Sequence, residues 1–184
     1  MLFNPEECRK LHNRNIDIST YIYDSDAIAL EGRLTDNRLV DTYSLFGKFR
    51  PAGIVHDMTI QMVVRLPKLV VEDIWVQMTS VPDPKCPHAL NSLSALKGET
   101  ISSGFTSIIK QIAGGKKGCA HLVSLARAMA SAAVQGAYCM MARKPPEQRR
   151  LTKNSLKTAM DSCHLWRSDG PMVKDLLNKL SEDK

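Results

Sequence analysis

Met58-Thr59-Ile60-Gln61-Met62-Val63-Val64-Arg65-Leu66-Pro67-Lys68-Leu69-Val70-Val71-Glu72-Asp73-Ile74-Trp75-Val76-Gln77-Met78-Thr79 is the stretch that decides the fold. In its first arm Met58, Ile60, Met62 and Val64 recur at every second residue, with Thr59, Gln61 and Arg65 mostly on the other side, the alternation of a half-buried strand. In the second arm Ile74, Val76 and Met78 share one side. Pro67, which has no N–H to give to a ladder, stands between them. The two arms predict an antiparallel hairpin.

Working outward towards the N-terminus, Asn15–Tyr23 and Ala27–Asp36 are rich in Ile, Tyr and Leu and read as two further strands, separated by the turn-forming Asp24-Ser25-Asp26. Asn37–Val55 is a long connection holding Gly47, Pro51 and Gly53 with Tyr43, Phe46 and Phe49. Connections of that length are functional or mobile. Towards the C-terminus, beyond Val81-Pro82-Asp83-Pro84, the apolar period changes from two to 3.6. Short helices are predicted over His88–Leu96 and Ser103–Ile112, the second stopped by Gly114-Gly115. A long helix runs from Cys119 to about Arg143, near 36 Å at about 1.5 Å per residue. Its stripe of Leu122, Leu125, Ala126, Met129, Ala130 and Ala133 is rich in alanine, which predicts a close approach of the sheet to the helix backbone. A helical stretch over Asn154–Trp166 and a last helix opened by Asp169-Gly170-Pro171 complete the chain. Strands followed by helices are the order of an α+β fold, expected here as a single domain over 1–184 with a basic linker at 143–157.

The chain has 184 residues, 43% hydrophobic and 24% charged, a balance that excludes a wholly disordered or fibrous protein. No apolar run reaches the roughly 20 residues of a membrane span, and the N-terminus carries charges where a signal peptide is apolar; a cytoplasmic location is expected. Cys8, Cys86, Cys119, Cys139 and Cys163 are widely spaced and form no Cys-x-x-Cys pair, so neither a disulfide framework nor a zinc finger is indicated. The net charge of +6 is concentrated late. Arg143, Lys144, Arg149, Arg150, Lys153 and Lys157 face Glu147 alone, in a stretch with two prolines and no aromatic residue to stack on bases. That reads as a solvated linker and makes a poor nucleic-acid site. Walker, dinucleotide-binding, Gly-x-Ser-x-Gly and His-Glu-x-x-His patterns are absent, which argues against nucleotide-dependent, serine-hydrolase and zincin mechanisms.

The residues able to carry chemistry lie at element boundaries: His56-Asp57, Cys86-Pro87-His88, Gly118-Cys119-Ala120-His121 and Cys163-His164. A rigid scaffold can converge polar side chains there without interrupting its core. His beside a carboxylate serves acid/base chemistry, and Cys and His ligate zinc or iron. Neighbours on a strand point to opposite faces, so His56 and Asp57 share a pocket only if the chain bends between them.

Leu11-His12-Asn13-Arg14, Glu31-Gly32-Arg33-Leu34-Thr35-Asp36, Ala52-Gly53-Ile54-Val55-His56-Asp57-Met58, Cys86-Pro87, Gly118-Cys119-Ala120-His121-Leu122, and Cys163-His164-Leu165 with Ser168-Asp169-Gly170 resemble, in order, the bacterial family catalogued as domain of unknown function 2889. The resemblance implies no reaction, but its catabolic bacterial setting points to a small-molecule enzyme. The chain also resembles, more faintly, the NifU-like iron–sulfur scaffold, whose metal site takes an Asp opening a strand, a Cys after the next hairpin and a His starting a long helix. Asp57, Cys86 and His121 stand at those places.

The expected function is that of a lyase acting without a cofactor, or with a single zinc or iron ion, on a small hydroxylated, aromatic compound. His56, Asp57, His121 and Arg33 are its expected catalytic residues, Arg33 holding an anionic end of the substrate beneath a lid formed by Asn37–Val55. The alternative is a non-catalytic metal or iron–sulfur protein ligating through Asp57, Cys86, Cys119 and His121. An anion- or RNA-binding accessory protein is a third class. Neither nucleotide nor membrane is an expected partner; self-association is left open.

Overall fold

The computed structural model describes residues 2–143, 145, 156 and 159–182. Four long strands, β1 (His12–Ile22), β2 (Ala27–Arg38), β5 (Gly53–Arg65) and β6 (Val70–Ser80), form an antiparallel sheet in the order β1-β2-β5-β6. The predicted connection between β2 and β5 is largely a small hairpin of its own, β3 (Thr42–Tyr43) with β4 (Phe49–Arg50), clasped by an edge-on contact of Tyr43 with Phe49. The fold is α+β, as the change of period predicts.

One face of the sheet is apolar because each strand gives it every second side chain. Ile28, Leu30 and Leu34 of β2 and Met58, Ile60, Met62 and Val64 of β5 are buried on it. Against this face lies the long helix α2 (Ala120–Ala142), which buries Leu122, Leu125, Ala126, Met129, Ala130 and Ala133, the stripe read from the sequence. The approach is close where side chains are small. A Cβ on Gly32 would stand 2.7 Å from the Met129 sulfur, and one on Gly136 would collide with Thr20 of β1. The opposite face is polar, with Tyr21 and Trp75 half-exposed on it.

The first predicted helix forms as an 11-residue 3-10 helix, Cys86–Leu96, rather than an α-helix. Leu90, Leu93 and Leu96 recur every third residue, and a three-residue turn puts all of them on one side. Helix α1 (Phe105–Ala113) follows, and then a single 3-10 turn at Gly115–Lys117. Of the predicted helical stretch 154–166, Leu156 and Ala159 are helical and 160–166 form turns; its remainder, like most of the basic linker 143–157, lies outside the described residues. The last helix, Pro171–Glu182, starts at its proline as expected. No helix among the described residues is long and apolar enough to cross a membrane.

Candidate functional site

The apolar rows end in polar side chains at one edge of the helix-covered face. On β2 the row Ile28, Leu30, Gly32, Leu34 is continued by Asp36, which is 3% exposed. The register places Arg14 of β1 opposite Asp36 on one side and His56 of β5 on the other. Beyond that pair the ladder shifts, so that Asn37 faces Ile54 and Val55 is the extra residue. Such a bulge bends the strand and re-aims its side chains. The start of α2 supplies His121. It is held there by Gly118, where an added Cβ would meet the Ala113 carbonyl oxygen at 2.6 Å and Ser92 at 2.8 Å.

Around the Asp36 carboxylate four side chains converge. Arg14 donates from Nε to Oδ1 (2.7 Å) and from Nη2 to Oδ2 (2.8 Å), a bidentate pair. His12 Nε2 lies 3.1 Å from Oδ1, His56 Nδ1 3.0 Å from Oδ2, and His121 Nε2 3.3 Å from Oδ2. The rings of His56 and His121 are stacked, with centroids 3.7 Å apart. His121 Nδ1, on its far side, is 3.6 Å from Cys119 Sγ.

The charges fix the protons. Arg14 and, to a lesser degree, the two histidines hold the Asp36 carboxyl down to about 2, against the opposing effect of its burial. An ionised carboxylate only accepts hydrogen bonds, so the nitrogens turned to it, His56 Nδ1 and His121 Nε2, carry protons. Burial lowers the pKa of both imidazoles below the ordinary value, outweighing the pull of Asp36; His121 is lowered further by His56 and Arg14. At neutral pH both rings are therefore uncharged. Each then has its lone pair on the nitrogen turned away from Asp36: Nε2 of His56 and Nδ1 of His121.

The structure divides the residues expected from the sequence. His56 and His121 come together as expected. Asp57 and Arg33 do not join them, and a single cluster of all four is corrected: strand alternation turns Asp57 to the opposite face, where Arg33 grips it through Nε (2.8 Å) and Nη2 (2.7 Å). The expected metal set Asp57, Cys86, Cys119 and His121 is likewise parted. Cys119 touches His121, Asp57 lies across the sheet, and Cys86, at the start of its 3-10 helix, shares no hydrogen bond with either. Cys163 is exposed, and His164 lies against Arg167.

The residues that sequence reading left out are Asp36, Arg14 and His12. Among the described residues, Asp36, His56 and His121 are the group whose potential ligand atoms lie within 4.8 Å of one another. Two imidazoles and a carboxylate suit zinc or iron in kind. The guanidinium of Arg14 on both oxygens of Asp36 opposes a second cation there, and coordination through the nitrogens that face Asp36 would displace both their protons. The arrangement can serve proton transfer.

A family described as protein of unknown function (DUF2889) matches residues 12–135. The chain belongs to that family. No curated protein and no solved structure matches it, so the likeness to the NifU-like scaffold finds no support. The DUF2889 match opens at His12 and takes in Arg14, Asp36, His56, Cys119 and His121, the whole of the converging cluster.

Proposed function

We propose that this protein is a lyase that cleaves a carbon–carbon or carbon–oxygen bond of a small hydroxylated, aromatic compound by proton transfer alone. One observation carries the reading: His56 is oriented through Nδ1 by a buried carboxylate, and among the described residues its Nε2 meets no hydrogen-bond partner, while burial favours the neutral ring. That is the disposition of a general base. His56 Nε2 takes a hydroxyl proton, the O–H electron pair becomes a carbonyl as the adjacent bond breaks, and the departing group receives the proton. The stacked rings take up one extra proton between them at a time, because two imidazolium ions at 3.7 Å repel. Arg14 acts as the anchor of Asp36.

The aromatic class is favoured by the β3–β4 hairpin. It joins the ends of β2 and β5 beside Asp36 and His56, and presents Tyr43 and Phe46 at 70% and 97% exposure. Five free cysteines accord with a cytoplasmic location. The test is turnover on a panel of hydroxylated aromatic compounds. His56→Gln and His121→Gln should each lower turnover by about 10²–10⁴ with thermal stability nearly unchanged. Full turnover in both variants removes the proposal. Stoichiometric zinc or iron binding that is lost in His56→Gln would favour the metal-binding alternative.

A further inference from the structure

Cys119 stands apart from the other four cysteines in what it touches. It is half-buried at the N-cap of the 23-residue helix α2, with its sulfur against His121 Nδ1. The opposite nitrogen of that ring, Nε2, is turned to Asp36, so its proton faces the carboxylate and the lone pair faces the thiol. Sulfur, imidazole and carboxylate thus follow one another in the order of a nucleophile, its base and the group that orients the base.

We propose that Cys119 is a nucleophilic thiol, with His121 as its base and Asp36 as the positioning residue, and that it adds reversibly to a carbonyl carbon. The step needs no oxidant. The Cys119 proton passes to His121 Nδ1, the Sγ–C bond forms as the carbonyl π pair moves to oxygen, and the oxygen takes the proton back to give a thiohemiacetal. The inference rests on the reading of this cluster as an active site and adds a third reacting group to it. It also names the functional group recognised, a carbonyl compound such as the cleavage would release.

The test is alkylation of the full chain with iodoacetamide at pH 7, with the extent at each of the five cysteines followed by peptide mass spectrometry. An ordinary thiol is only a few per cent ionised there, so an activated Cys119 should react about tenfold or more faster than the exposed Cys8 and Cys139. That advantage should vanish in His121→Gln while the part-buried Cys86 stays as slow as in the wild-type chain, which shows that the variant remains folded. Asp36→Asn should reduce it as well, and benzaldehyde should slow labelling of Cys119 alone. Slower labelling of Cys119 than of the exposed cysteines, or an unchanged ratio in His121→Gln, overturns the nucleophile; absence of benzaldehyde protection overturns the carbonyl. Because labelling is read without turnover, the outcomes separate: a fast Cys119 in a protein without lyase activity sinks the lyase alone, and an inert Cys119 with turnover dependent on His56 sinks this inference alone.

Discussion

Asp36 sets the state of every group near it. Its charge is held by Arg14, and its Oδ2 fixes the tautomers of two histidines. Folding lowers its carboxyl to about 2 from an ordinary value near 3.9, which is worth about 2 kcal/mol of stability at neutral pH. Asp36→Asn keeps the shape and removes the charge. It should therefore cost about 2 kcal/mol in urea unfolding at pH 7, and the difference from the wild-type chain should close as the pH approaches 2. A gap that stays constant down to pH 2 would show that the charge is not what is lost. The sequence pairs these residues once the turn at Asp24-Ser25-Asp26 is used as a ruler. Counting outward from Ser25 along two antiparallel strands puts Arg14 opposite Asp36, a cross-strand pair of opposite charge. Weighing boundary residues singly, without register, leaves that carboxylate unseen and keeps Asp57, whose partner is on the other face, in its place.

At the scale of elements, the contact of α2 with the sheet decides where His121 stands. Gly32 lies under Met129 and Leu125, and Gly136 lies against Thr20. The alanine stripe foretells this closeness, because small side chains on a core-facing stripe serve no other packing purpose. Gly32→Ala should cost about 1–3 kcal/mol by overpacking, measured by chemical denaturation, and Met129→Ala in the same chain should recover part of it by vacating the space. Additive losses in the double variant would mean that the helix does not rest on Gly32. The alternation of β5 and β6 is legible because each strand is apolar on one face only. The 3-10 helix Cys86–Leu96 is harder to see, since a leucine at every third residue satisfies an α-helical pattern over two turns as well as it does a three-residue one.

For the whole molecule, the same charges shape the response to acid. His56 and His121 are kept neutral by folding, so their folded pKa values lie below the unfolded value near 6.5. The stability they allow is complete above about pH 6.5 and falls as the pH drops below it. Asp36 and Asp57, both lowered by an arginine partner, add a second loss that begins below about pH 4. The net charge of +6 grows on acidification and acts in the same direction. Urea midpoints at pH 8, 5.5 and 3 should therefore fall in two stages, and His56→Gln with His121→Gln should remove the first. An unchanged midpoint between pH 8 and 5.5 would contradict it. The central claim, two stacked imidazoles oriented by a buried carboxylate and kept neutral by their own burial, with their free lone pairs turned outward, is open to direct measurement by nuclear magnetic resonance of the histidine ring nitrogens over pH 4–9. His56 and His121 should both titrate below 6.5, His56 with its proton on Nδ1 and His121 with its proton on Nε2; titration of either ring above 6.5, or the reverse tautomers, would contradict it.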